Sequence, residues 1–313
     1  MKNNSCMINE ENFERLTTSL DKNAKEHLSY ERLVSLWNDY CDVASLSPDE
    51  ISAEKSDFVT IAHYYSIAWG LCCLSISSNS SNEKADSLAY TIQSMTAAIA
   101  NNTQSIMLLL HRGLHYQASI LARNQYELCF SLLNILIDPI KRNAFLSSCK
   151  NNNATNVWRK HFSIKQLNST LLAFESNLAQ SGELGFLGQW RREGYVHHSS
   201  AVHNSYLALI ASHFVPKESF EDNQLSLSLW GTYRSFIEKD RAHKLDDLLL
   251  YTDKVFHWVF SPDHGHINIR DYCAADGFDN WNLSLSLFLF IEAYFLETKM
   301  TEESISTDQN TLR

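Results

Sequence analysis

Long stretches without a helix breaker restrict this chain more than any other feature. Its 313 residues hold nine glycines and four prolines, too few for the many tight turns of a sandwich or barrel. Hydrophobic residues make up 44% and aromatics 12%, enough for a substantial core, which excludes wholesale disorder. The expected fold class is all-α, a helical bundle with short connections.

Apolar spacing places the helices. Phe13, Leu16, Leu20, Leu28, Leu33, Leu36, Trp37 and Tyr40 form a drifting stripe over residues 10–44. Ser47-Pro48-Asp49-Glu50 reads as a capping box with proline at the first helical position. The helix it opens is expected to reach Ser77, turning Phe58, Ile61, Ala62, Tyr65, Ala68, Trp69, Cys72 and Cys73 inward. A polar loop precedes a helix over 83–111, Gly113 marks a kink or break, and Asp138-Pro139 stops the helix of 114–137. Residues 150–155 read as the internal hinge, and 157–180 as one further helix. The glycine-rich 181–188 leads into the stretch around which the chain looks organised, Trp190 to His213. Helices near 218–240, 243–260 and 280–299 follow, with a loop over 261–278 and a polar, frayed tail from Thr301. The expected division is an N-terminal helical segment (1–83), a core bundle (84–215), C-terminal helices completing the same domain (216–300) and the tail (301–313).

The formal charge of −10, from 36 acidic and 26 basic residues, argues against a dedicated DNA binder. It leaves room for an RNA site, where a few local cations suffice. Seven cysteines, an odd number without a CxxC pair, read as reduced thiols of a cytoplasmic protein. The N-terminus has no apolar signal region. The most apolar window, Leu283 to Leu296, is interrupted by Ser284, Ser286 and Glu292, so a buried helix is expected there and no membrane segment.

Two segments carry the residues with chemical potential. On a helix, Arg123 and Glu127 stand four apart; Tyr195, Ser199 and His203 also share one face, with Ser205 beyond. The R-x-x-x-E segment, its aspartate-proline stop and the later Y-x3-S-x3-H-x-S segment resemble an uncharacterised bacterial branch of the HEPN-type helical superfamily, over roughly residues 90–215. The resemblance implies a helical bundle that pairs as a homodimer through its motif helices, and a metal-independent ribonuclease chemistry built on R-x4–6-H. A histidine would move a proton at the 2′-hydroxyl or leaving oxygen, and an arginine would stabilise charge on the phosphate. The candidate catalytic residues are therefore His203, His198, Arg123, Glu127, Arg191, Arg192, Tyr195 and Ser199. Arg191 and His198, seven apart, make the best-aligned pair on a continuous helix. The pattern departs from the family at 196–198, where Val196, His197 and His198 stand in place of an arginine before His203; Arg123 could supply that cation.

A plainer reading fits the same residues. Arg123 and Glu127 form an ion pair, ordinary or locking two helices, and His203 is a core histidine bonded to Glu127 or Tyr195. Arg191 and Arg192 then lie at a solvated helix start, and Gly194 delays the helix to Tyr195. Asp263, His264 and His266, with His257 as one option for a further ligand, are the rival metal candidates. No cofactor is expected, and neither a phosphate-binding loop nor a dinucleotide, hydrolase or zinc-protease motif occurs. Two functions follow: a bacterial stress or anti-phage effector with endoribonuclease activity, or a non-enzymatic binding or sensor module whose Arg–Glu–His cluster is a structural network. RNA, a second copy and a regulatory protein are the expected partners.

Overall fold

The computed structural model describes residues 8–18, 20–43, 56–76, 83–148, 154–178, 185–202, 214–216, 225–227, 235–260, 267–268, 271–273 and 277–311. The fold is all-α, with twelve helices among the described residues. The first part contains α1 (Glu10–Thr17), α2 (Lys22–His27), α3 (Tyr30–Val43), α4 (Asp57–Ser75) and α5 (Glu83–His111). Then come α6 (His115–Ile137), α7 (Pro139–Ser148), α8 (Ala154–His161), α9 (Ile164–Leu178) and α10 (Gly185–Val202). The last helices are α11 (Ser235–Phe260) and α12 (Gly277–Thr311). Between α10 and α11 a small antiparallel ladder pairs β1 (Phe214–Pro216) with β2 (Leu225–Leu227), in the register Phe214↔Leu227 and Pro216↔Leu225.

The core is built around α4, not around the Trp190–His213 stretch. Phe58, Val59, Ile61, Ala62, Tyr64, Tyr65, Ala68, Trp69 and Cys72 are all fully enclosed, so the helix has no solvated face from Phe58 to Trp69. It packs against α5 and α12 and, less extensively, α11. Trp69 meets Phe256 of α11 and Phe288 of α12 edge to face, both at 5.1 Å. Such all-round burial explains a composition apolar enough to cross a membrane. Of the described helices α4 alone has that length and character, and 83% of its apolar window lies inside the protein. Ser284, which interrupts the apolar run of α12, donates to the Ala68 carbonyl at 2.8 Å. Its hydroxyl is thus satisfied inside the core. One continuous apolar cluster runs from Ile8 to Phe295, so the N-terminal segment supplies the centre of the core.

The second buried helix is α6, and local chemistry fixes both its ends. At the α5–α6 corner Gly113 adopts φ 70°. The Gly113 amide donates to the Leu110 carbonyl at 2.9 Å and that of Leu114 to Leu109 at 2.8 Å. This is the paired capping pattern that a left-handed glycine permits. At the other end Asp138 accepts from the Ile140 amide at 2.8 Å, capping α7 with Pro139 in its first turn. Arg142 turns back onto the Ile135 and Leu136 carbonyls at 2.9 and 2.5 Å. Lys141 is buried, and its ammonium donates to Asn134 Oδ1, the Gln166 carbonyl and Thr170 Oγ1, tying α6, α7 and α9 together.

Several expected boundaries differ. The helix expected over 157–180 is broken at Phe162-Ser163, where the buried Phe162 packs against Trp158 and Phe145. The expected break near 241 is absent: nothing between Asp240 and Lys244 interrupts hydrogen bonding, and α11 runs through. Helix α12 continues to Thr311, past the point where a frayed tail is expected. The Ser47–Glu50 capping box lies outside the described residues; α4 begins behind Ser56.

Candidate functional site

The two motif segments meet where α10 lies along α6. Arg123 reaches across from α6: its Nε donates to Ser199 Oγ at 3.1 Å, and its Nη2 contacts the Tyr195 hydroxyl and pairs with Glu127 Oε1 at 2.9 Å. The guanidinium carbon lies 3.9 Å from the centroid of the Tyr195 ring. Ser199 also donates to the Tyr195 carbonyl, one turn back, at 2.7 Å. Burial pushes the Tyr195 phenol up, Arg123 opposes the shift and Glu127 adds to it. Arg123, Glu127, Tyr195 and Ser199 thus form one cluster. The Arg123 side chain is largely covered, whereas that of Glu127 is 37% exposed.

Close approach of α6 and α10 depends on Gly194. A Cβ at this position would lie 1.8 Å from the Tyr126 hydroxyl, which itself donates to the Lys244 carbonyl of α11 at 3.1 Å. Helix α10 is continuous through Gly194 from Gly185, so its start is not delayed to Tyr195.

That continuity sends Arg191 inward. It is fully buried, its Nε donates to Glu175 Oε1 of α9 at 2.8 Å, and its Nη1 donates to Asn168. The Phe130 and Tyr251 rings lie 5.4 and 5.2 Å from the guanidinium carbon, and Tyr251 donates to the same Glu175 oxygen at 2.7 Å. The charges of Arg191 and Glu175 therefore face each other inside the bundle, with Nη2 held by proximity to Glu175 Oε1 at 2.8 Å and not by an aligned hydrogen bond. Arg192 is half exposed, with Nη1 3.8 Å from Glu175 Oε2. His197, partly exposed, lies 3.5 Å from Asp240. Burial lowers its imidazole and Asp240 works against that.

The His198 side chain and the whole of His203 lie outside the described residues, as do Asp263, His264 and His266. Among the described residues no group of three or more histidine, cysteine or carboxylate side chains is placed to hold a metal ion.

Sequence reasoning missed the partners that come from distant helices. Glu175, Asn168 and Tyr251 complete the Arg191 network. A separate chain of hydrogen bonds links Tyr40, His63, His111 and Glu238. No local spacing announces either set, because each helix contributes one or two members.

Fold and cluster together define an all-α protein with two buried helices and a polar seam between α6 and α10. Residues 90–185 match the model of a family of unknown function (DUF5677), under a third of the chain. The matched stretch carries Arg123, Glu127 and Glu175 and ends as α10 begins. No curated protein and no solved structure matches the chain.

Proposed function

We propose that this protein is a non-enzymatic helical binding or sensor module, in which the Arg123 cluster fixes α10 against α6. What supports the reading is the pairing of the seam's arginines. Arg123 has Glu127 at 2.9 Å, and Arg191 has Glu175 at 2.8 Å inside the bundle. A phosphate clamp needs a cation whose charge is not already taken up by the fold. An acidic net charge of −10 argues in the same direction. The assembly in keeping with the HEPN resemblance is a homodimer, with a further protein as regulatory partner in a bacterial stress or anti-phage response.

A second reading, the metal-independent endoribonuclease, draws support from one atom. Arg123 Nη1 is buried and has no hydrogen-bond partner among the described residues, which leaves one donor for a phosphate oxygen or for a group farther along the chain.

The deciding experiment incubates the purified full-length protein and its Arg123→Ala and His203→Ala variants with total cellular RNA in EDTA, beside thermal melts of each. The binding-module reading expects no cleavage by the wild type and a lowered melting temperature for Arg123→Ala. RNA cleavage that disappears in His203→Ala, at unchanged melting temperature, overturns it in favour of the ribonuclease.

A further inference from the structure

Four titratable side chains from four helices stand in a line away from the α6–α10 seam. The Tyr40 hydroxyl of α3 is 2.8 Å from Nδ1 of His63 on α4, and Nε2 of His63 is 3.1 Å from Nε2 of His111 on α5. Nδ1 of His111 bonds Glu238 of α11. His63 and Glu238 are buried, and the His111 side chain is 11% exposed. The two imidazole planes are inclined by 22° with centroids 5.4 Å apart. With the facing nitrogens at 3.1 Å, that is the geometry of rings edge to edge in nearly one plane, each nitrogen aimed at the other.

This arrangement leaves little freedom in where the protons sit. An ionised Glu238 only accepts, so Nδ1 of His111 carries its proton. In the neutral ring Nε2 of His111 then accepts, so His63 donates from its own Nε2 and accepts at Nδ1 from Tyr40. All three bonds point one way, from Tyr40 to Glu238.

A second complete arrangement contains one proton more. Nδ1 of His63 gains the proton and donates to the Tyr40 oxygen. The Tyr40 O–H turns towards Ser66, whose hydroxyl interacts with the phenol and holds its proton equilibrium down against burial. Ser66 already donates its own hydrogen to the Ala100 carbonyl at 3.0 Å, so its oxygen is available as an acceptor. The proton between the two Nε2 atoms can then reside on either ring, and the positive charge faces the buried Glu238 carboxylate. A further proton would set two N–H groups head to head at 3.1 Å.

We infer that Tyr40, His63, His111 and Glu238 form a binding site for a single proton, shared by the two imidazoles and balanced by Glu238. The chain of bonds goes from net charge −1 to zero on uptake without losing a hydrogen bond. The groups beside it are Trp37 and Cys41 on α3, the exposed Arg112 after His111, and Lys239 after Glu238, whose Nζ lies over Phe58 at 6.0 Å. The site does not depend on whether the protein is a binding module or a ribonuclease.

The test is long-range proton–nitrogen NMR of the full-length protein carrying 15N-labelled histidine, followed from pH 8.5 downward. Signals are assigned through their loss in His63→Gln and His111→Gln. At high pH His63 is expected as its Nε2–H tautomer and His111 as its Nδ1–H tautomer. Acidification should move both rings together, through one common midpoint, with one proton taken up by the pair. Glu238→Gln keeps an acceptor for His111 but removes the counter-charge, and should lower that midpoint by about one pH unit or more. Two independent midpoints with two protons taken up, or the opposite tautomer of either ring at high pH, overturn the inference. An unmoved midpoint in a folded Glu238→Gln protein does the same, and the wild-type spectra decide alone if that variant does not fold.

Discussion

Arg191 and Glu175 form an enclosed ion pair: the arginine has no exposed surface, and its Nε and Nη2 both lie 2.8 Å from one carboxylate oxygen. Around it stand Asn168, Phe130 and Tyr251, so the pair joins α6, α9, α10 and α11 at one point. Removing the arginine leaves a nearly buried Glu175 carboxylate with only the Tyr251 hydroxyl and the half-exposed Arg192, 3.8 Å away, to hold it. Arg191→Met is expected to cost about 3–5 kcal/mol in urea unfolding. Adding Glu175→Gln to it should recover part of the loss, because the stranded carboxylate goes with it. Additive losses in the double variant would show that the two residues do not act as a pair.

Gly194→Ala forces a methyl group into the Tyr126 hydroxyl at 1.8 Å. A loss of about 1–3 kcal/mol is expected as α10 is pushed off α6. Combining it with Tyr126→Phe should restore part of the stability, since the nearest obstructing atom disappears. The measurement is the melting temperature of the two single variants and the double.

Asp246 is fully buried, and neither carboxylate oxygen has a hydrogen-bond partner among the described residues. Burial first, and Asp247 beside it second, hold its carboxyl well above the usual range, while Lys299 opposes them. A raised carboxyl makes folding take up a proton. The stability tied to Asp246 is therefore full below the unfolded value near pH 4 and falls as pH rises through the folded value. Asp246→Asn should leave the melting temperature nearly unchanged at pH 4 and stabilise by on the order of 1–3 kcal/mol at pH 8. A gain that is the same at both pH values would remove protonation as its cause.

His243 has the opposite sign. Its Nε2 lies 3.8 Å from Asp247, a contact that favours the charged ring, but Lys299 holds that same carboxylate at 3.0 Å. Burial and the lysine charges win, and the imidazole is pushed down to about 4. Its contribution is complete above the ordinary value of 6.5 and is lost as pH falls through about 4. His243→Gln, which keeps a polar group against Phe58, should flatten the decline of the melting temperature over that window.

Cys129 is enclosed, and burial pushes its thiol up to about 12. It should resist iodoacetamide at pH 8 in the native protein and react only after unfolding, as mass spectrometry would show. Rapid native labelling would mean that α6 opens.

Local signals carried a good deal of this structure. Gly113 and Asp138-Pro139 act within a few residues, and the chain breaks where they say, whereas α4 starts behind the extended Ser56 and not at the expected Ser47–Glu50 box. Helical spacing within each segment singles out Arg123, Glu127, Tyr195 and Ser199, but not the bonds that Arg123 makes to Tyr195 and Ser199 across two helices. The burial of Arg191 was not legible either. Its surroundings are set by Glu175, Asn168 and Tyr251, which reach it only after α9 and α11 have packed. A run of Arg-Arg-Glu looks solvated until a continuous helix turns its first member inward. The His63–His111 contact was invisible for the same reason, joining residues 48 apart whose flanking sequences carry no shared pattern.

The dependence of α4 on α12 bears on how the protein comes off the ribosome. Ser284 and Ala68 are joined across 216 positions, and α1 reaches α12 through Arg15 and Glu297 across 282. An emerging chain would therefore keep the α12-facing side of its most apolar helix uncovered until residues 277–311 have been made. Closure must wait for α12 to leave the exit tunnel, so nascent chains halted before α12 are the species expected to engage chaperones or aggregate.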